Sequence, residues 1–384
     1  MLEQRILDVM NRAIDNKELA GANLEVTVGG KTRIRLEAGY ADNESGKKVE
    51  HDSIFRLYSQ TKPVTAAAVA LLVERGELDV CSWVSDFLHG FKNQKVFLKD
   101  GSLRPAARPA TVYDLLNMTA GLSYPGLAPE EAETTRIFAE NQCAISEGKG
   151  LGTVEFANEL GKAPLAFDPG SCFKYSTCAD VLGAIVEVVS RKPFSRFLRE
   201  ELFEPLGMKD TGFYVPEKEY HRLVTCYKRS DGGLVEFTSP HLCVGDYTHE
   251  PAFASGGAGL VSTLDDYARF AAMLLNGGSY EGRKYLSAET VKWLTSPQLS
   301  LAQNEGLWDN LRGYSYGKLM RICVEPGRVC GLARFGEYGW DGWLGTYFAN
   351  FPNEKMTVLC FQNTTDAGTT PMMRKIRNLI LSEL

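Results

Sequence analysis

The sequence predicts an α/β (α+β) protein: a largely antiparallel sheet flanked by helices, with a helical lobe inserted between the two parts of the sheet lobe. Three observations carry this. Strand-like segments occur near both ends of the 384-residue chain. They come as hairpins rather than as strand–helix–strand units, so neighbours should run antiparallel. Helical runs broken by Pro- and Gly-rich loops fill the middle. The reading is one domain over 1–384, with an α/β lobe at about 1–84 and 236–384 and a helical lobe at about 85–235. A ligand site is expected between the lobes.

Each element has its own signal. Residues 2–16 place Leu2, Ile6, Val9, Met10 and Ala13 on one helical face. Segments 23–28 and 32–38 alternate around Gly29-Gly30, the pattern of a hairpin. Residues 64–75 are apolar nearly all round, which marks a buried helix, with Gly76 as its stop. Pro63 is tolerated only in a first turn, so that helix should begin near Gln60. Helical runs follow at 112–117, 130–140, 178–190 and 194–203, and another at 267–276 ends at Gly277-Gly278. Strands are expected at 314–324, 329–335, 343–351 and 356–362, and a helix from about Met372 closes the chain.

Composition narrows the function classes. Apolar content of 44% and charged content of 23% are ordinary for a soluble globular protein. A net charge of −6 and a pI near 5.6 argue against a nucleic-acid surface. The start is charged and amphipathic, and no stretch approaches a transmembrane span, so a cytoplasmic location is expected. Nine irregularly spaced cysteines without a Cys-x-x-Cys suit reduced thiols. The five histidines include no metal-binding pair, so no metal site is expected.

Ser59-Gln60-Thr61-Lys62 is the most informative segment. At i and i+3 of a helix a hydroxyl and an amine share a face. A serine hydroxyl is a poor nucleophile unless a base sits within hydrogen-bond reach. Ser59 is thus a candidate nucleophile and Lys62 its candidate activating base. Ser-x-x-Lys occurs five times, but only Ser59 precedes a strong helix, which would hold it on a rigid element. Two further segments stand out: Phe167 to Ser176, a turn delivering Tyr175 just before a helix, and the Gly-rich Gly336 to Thr346, which permits close backbone approach.

These residues together resemble the serine hydrolases of the class C β-lactamase and penicillin-binding superfamily, and more narrowly the family VIII carboxylesterases. Ser59-Gln60-Thr61-Lys62 is similar to the first motif and Tyr175-Ser176-Thr177 to the second. Thr111 to Leu116, Thr119-Ala120-Gly121-Leu122 and Ser255 to Thr263 are also similar to family stretches. Trp340-Asp341-Gly342 falls where β-lactamases carry Lys-Thr-Gly and the esterases usually carry Trp-Gly-Gly. The resemblance covers nearly the whole chain and implies a β-lactamase/transpeptidase-like fold. It implies an acyl-enzyme on Ser59, with Lys62 and Tyr175 as general base, and no cofactor. A nearby Lys62 cation would lower the Tyr175 phenol. The backbone N–H groups of Ser59 and Trp343 would form the oxyanion hole, where losing one donor costs roughly 3–4 kcal/mol. The substrate would be a small-molecule ester or related acyl compound. Tyr124, Thr177, Trp340, Asp341, Gly342 and Tyr347 are the candidate substrate-binding residues.

The departures direct the substrate expectation. Trp340 replaces the lysine that holds a substrate carboxylate in β-lactam chemistry. If Asp341 faces the site, an anion about 4 Å away meets a repulsion on the order of 1–4 kcal/mol. Neutral esters are therefore expected. Alternatives on the same fold are an acyltransferase and a weak β-lactamase or D-amino-acid peptidase, with a non-catalytic penicillin-binding-type protein a further one. Gly313-Tyr314-Ser315-Tyr316-Gly317 matches a nucleophile elbow, but a strand-like segment follows it and no histidine occurs after His249.

Overall fold

The computed structural model describes residues 1–384. Its centre is an eight-stranded sheet in the order Tyr314–Gly317, Met320–Cys323, Tyr338–Asp341, Tyr347–Phe351, Met356–Gln362, Gly21–Val28, Lys31–Asp42, Lys47–Lys48. Every neighbouring pair is antiparallel. The last strand pairs with the first, with Ala22 opposite Gln362 and Val28 opposite Met356, so the two ends of the chain complete one sheet.

Alternation decides what covers each face. In Met356–Gln362, Met356, Val358 and Cys360 pack under the terminal helices Leu2–Asp15 and Pro371–Glu383, against Ile6, Met10, Ile376 and Ile380. Leu359 and Phe361 point the other way, into the main core. Side chains on a strand alternate between faces. A strand buried on both faces therefore reads as a continuous apolar run. The opposite face carries the helices Lys62–Glu74 and Leu264–Leu275, and the helix Cys178–Ser190 packs on the first of these rather than on the sheet. From Lys62 to Leu72 every residue of the first of these is buried. Its alanines present a thin surface that lets the Cys178–Ser190 helix pack close.

The expected strand 314–324 is a hairpin of two, Tyr314–Gly317 and Met320–Cys323, and other elements differ as well. Residues 329–335 form no strand: Gly331 (φ +134°) and Gly336 (φ +81°) take left-handed conformations, and Leu332 N–H bonds the Asn378 side chain instead of a neighbour strand. The third-motif segment is instead the strand Tyr338–Asp341. A helix, Thr153–Lys162, also forms where Gly148, Gly150 and Gly152 obscured its start. No helix is long and apolar enough to cross a membrane.

Candidate active site

Ser59 sits in a 3-10 turn, Tyr58–Thr61, that runs into the Lys62–Glu74 helix. The turn is clamped from several sides. Leu57 N–H donates to Leu260 O at 2.8 Å, and Leu260 N–H donates to Thr61 Oγ1 at 3.1 Å. Tyr267 OH donates to Gln60 O at 3.0 Å, and Thr346 Oγ1 to Leu57 O at 3.2 Å. Tyr58 is held at φ +45°. Such a conformation costs a non-glycine residue roughly 1–3 kcal/mol and persists only where the surroundings enforce it.

Lys62 lies fully buried at the centre of the site. Its Nζ is 3.1 Å from Ser59 Oγ, 3.0 Å from Tyr124 OH and 2.8 Å from Gly257 O. Burial lowers its pKa from 10.5 to about 7, partly opposed by the charge of Asp180. The three partners suit a neutral amine. Two N–H groups reach the Gly257 carbonyl and the Tyr124 oxygen, and the lone pair is left to accept the Ser59 O–H.

Tyr175 lies beside Ser59, its ring centroid 4.6 Å from Lys62 Nζ. Its hydroxyl accepts the indole N–H of Trp340 at 3.1 Å. The expectation that the lysine cation lowers this phenol is reversed. Burial is the larger effect and pushes it above its ordinary value, with the bonds from Ser59 and Trp340 opposing. Tyr175 is therefore a phenol in the resting protein.

Trp340 packs on Tyr175 (5.5 Å between ring centroids) and Tyr316 (5.0 Å). Tyr124 packs on Tyr175 at 5.7 Å. Thr177 is buried and its hydroxyl donates to Ser123 O at 3.4 Å. Gly342 lets the strand end reach the nucleophile turn, since a Cβ there would lie 2.2 Å from Leu57 O. The Trp343 backbone N–H has no acceptor in the molecule. Its indole stacks on His241 at 4.0 Å and donates to Asp366 Oδ1 at 2.8 Å.

Two expected substrate contacts are corrected. Asp341 does not face the pocket: its carboxylate pairs with Arg321 at 2.7 Å and accepts the Thr369 hydroxyl. Tyr347, opposite it in register, is fully buried under the terminal helices. Strand alternation puts both on the face away from Trp340. The close-range repulsion assigned to Asp341 is therefore not made in the pocket, because its carboxylate is held by Arg321 behind the strand.

Sequence reasoning missed two residues. Asp180 is buried and accepts Ser255 Oγ at 2.5 Å and Gly257 N–H at 3.0 Å, fixing the loop whose carbonyl holds Lys62. In sequence it reads as an ordinary acidic residue of a first helical turn. Trp308, from an aperiodic loop, lies against Tyr175 at 5.1 Å while 47% exposed. Ser315, the rival nucleophile, is buried in the edge strand and followed by a turn at Lys318-Leu319, not a helix.

The family model described as Beta-lactamase matches residues 6–381. Esterase EstB of Burkholderia gladioli is 30% identical over 398 residues, covering 99% of this chain and 95% of that protein. The solved structure of EstCE1, titled a hydrolase with promiscuous acyltransferase activity, superposes with a TM-score of 0.82 at 26% identity, covering 99% and 98% of the two chains. Simvastatin synthase (LovD) from Aspergillus terreus shares the fold, with a TM-score of 0.79 at 20% identity over 99% of this chain and 96% of that one. With the family matched across nearly its full length and a serine–lysine pair at the centre of its site, this chain belongs to the Beta-lactamase family.

Proposed function

We propose that the protein hydrolyses small neutral carboxylic esters through an acyl-enzyme on Ser59. The observation that carries this is the buried Lys62, whose amine near neutrality lies 3.1 Å from the Ser59 hydroxyl. Ser59 Oγ attacks the ester carbonyl as its proton passes to the Lys62 lone pair. The carbonyl oxygen becomes an oxyanion, met by the backbone N–H groups of Ser59 and Trp343. Collapse breaks the bond to the alcohol. The Lys62 proton reaches the leaving alkoxide with Tyr175, already a phenol, as relay. Water then attacks the acyl-enzyme with the same groups in the same roles, releasing the acid and restoring Ser59.

The preference for neutral esters rests on Trp340 and the aromatic wall of Tyr124, Tyr175 and Trp308. The nearby Lys174 is already paired with Glu130 and Glu131. Acyl transfer to an alcohol is the second reading, favoured by the acyltransferase activity in the EstCE1 title. A cytoplasmic location is supported by nine unpaired cysteines.

The test is p-nitrophenyl butyrate hydrolysis by wild type and Ser59→Ala, with a chromogenic cephalosporin alongside. Ester turnover lost in Ser59→Ala, with little cephalosporin cleavage, is expected. Brisk cephalosporin cleavage without ester turnover would overturn the esterase reading. Adding a primary alcohol and measuring transfer product against free acid separates transferase from hydrolase.

A further inference from the structure

Behind the Tyr338–Asp341 strand, on the face away from Ser59, a second set of buried charges plays no part in the reaction above. A cavity of about 40 Å³ opens there between the edge strands, residues 329–332 and the start of the Pro371–Glu383 helix. A single water needs roughly 10–15 Å³. The cavity therefore has room for an ion of several heavy atoms.

Its wall holds three guanidinium groups, Arg321, Arg374 and Arg377, with Thr369 and Asn378 adding polar atoms, and no carboxylate lines it. Two of the cations have carboxylate partners outside the cavity. Arg321 bonds Asp341 at 2.7 Å and donates to Phe348 O at 3.2 Å. Arg377, only 7% exposed, bonds Glu337 at 2.8 Å but leaves its buried Nε without an acceptor. Arg374 has no carboxylate partner: its Nη1 donates to Thr369 O at 2.7 Å, and its side chain is exposed at the mouth. Three cations thus answer to two carboxylates around a hollow lined with donors. Guanidinium groups bind carboxylate and phosphate oxygens in forked pairs.

We propose that this cavity is a binding site for a small oxyanion, inorganic phosphate or a carboxylate of similar size, with Arg377 beneath it and Arg374 closing over it. The site is joined to the reaction centre by one loop. Thr369 donates to Asp341, Ala367 N–H donates to Trp343 O at 3.0 Å, and Asp366 accepts the Trp343 indole N–H. An anion that orders Thr369 and Arg374 acts on the loop that holds Trp343.

The test is isothermal titration calorimetry of the full chain with inorganic phosphate and, separately, acetate, at constant ionic strength in chloride. Saturable binding to wild type and to Ser59→Ala is expected, weakened at least about tenfold in Arg374→Ala and Arg374→Gln. Near-UV circular dichroism and a melting temperature matching wild type show that the two arginine variants are folded. The anion that binds more tightly distinguishes a phosphate ligand from a carboxylate one. Equal affinity in wild type and both arginine variants, or no saturable heat with either anion, overturns the proposal.

Discussion

Replacing Lys62 with methionine should abolish activity and stabilise the protein. Burial takes the Lys62 pKa from 10.5 to about 7. At about 1.4 kcal/mol per unit, the buried ammonium costs the fold on the order of 5 kcal/mol below pH 7. Methionine has a similar length and no charge. It leaves the Gly257 carbonyl and the Tyr124 hydroxyl without their donor, a loss of about 1–3 kcal/mol. The net expectation at pH 6 is a variant more stable by about 2–4 kcal/mol. The pH dependence is the sharper signature. Between pH 7 and 10.5 the unfolded lysine holds a proton that the folded one has released, so wild-type stability rises with pH across this window. The advantage of Lys62→Met should shrink by about 3 kcal/mol between pH 6 and pH 9. Urea unfolding at both pH values reads this directly. A variant that is less stable at pH 6, or a difference that does not change with pH, would refute the account of a lysine held near neutrality by burial.

Further expectations follow from the same geometry. The pH profile of kcat/KM for a neutral ester should rise through pH 7 as Lys62 loses its proton, and a flat profile from pH 5 to 9 would count against Lys62 as the base. Asp180→Asn removes the charge that supports the Lys62 ammonium, so the same limb should move to lower pH. Gly342→Ala forces a Cβ onto Leu57 O, and a displacement of about 1 Å at the nucleophile turn should lower kcat on the order of 10²-fold, measured on p-nitrophenyl butyrate.

The Ser59–Lys62 pairing and the antiparallel architecture were legible because they rest on short-range pattern. Ser59 and Lys62 are one turn apart, and the first hairpin announces itself by alternation around Gly29-Gly30. Asp341 and Tyr347 were misplaced because motif adjacency was read as shared direction, whereas neighbours on a strand face opposite ways. The Tyr175 phenol was misjudged for a different reason. A sequence shows the cation nearby but not the burial that outweighs it. Tyr124 and Asp180 meet Lys62 and its loop across separations of 62 and 77 residues, contacts that only the assembled fold creates.

The most direct test of the central claim is to trap the acyl-enzyme. Wild type is mixed with p-nitrophenyl butyrate, quenched in acid, digested and mapped by mass spectrometry. A butyryl group on the Ser59 peptide, absent in Ser59→Ala and alongside a p-nitrophenol burst, is the expected result. A butyryl group on another residue, or steady turnover undiminished in Ser59→Ala, would contradict Ser59 as the nucleophile.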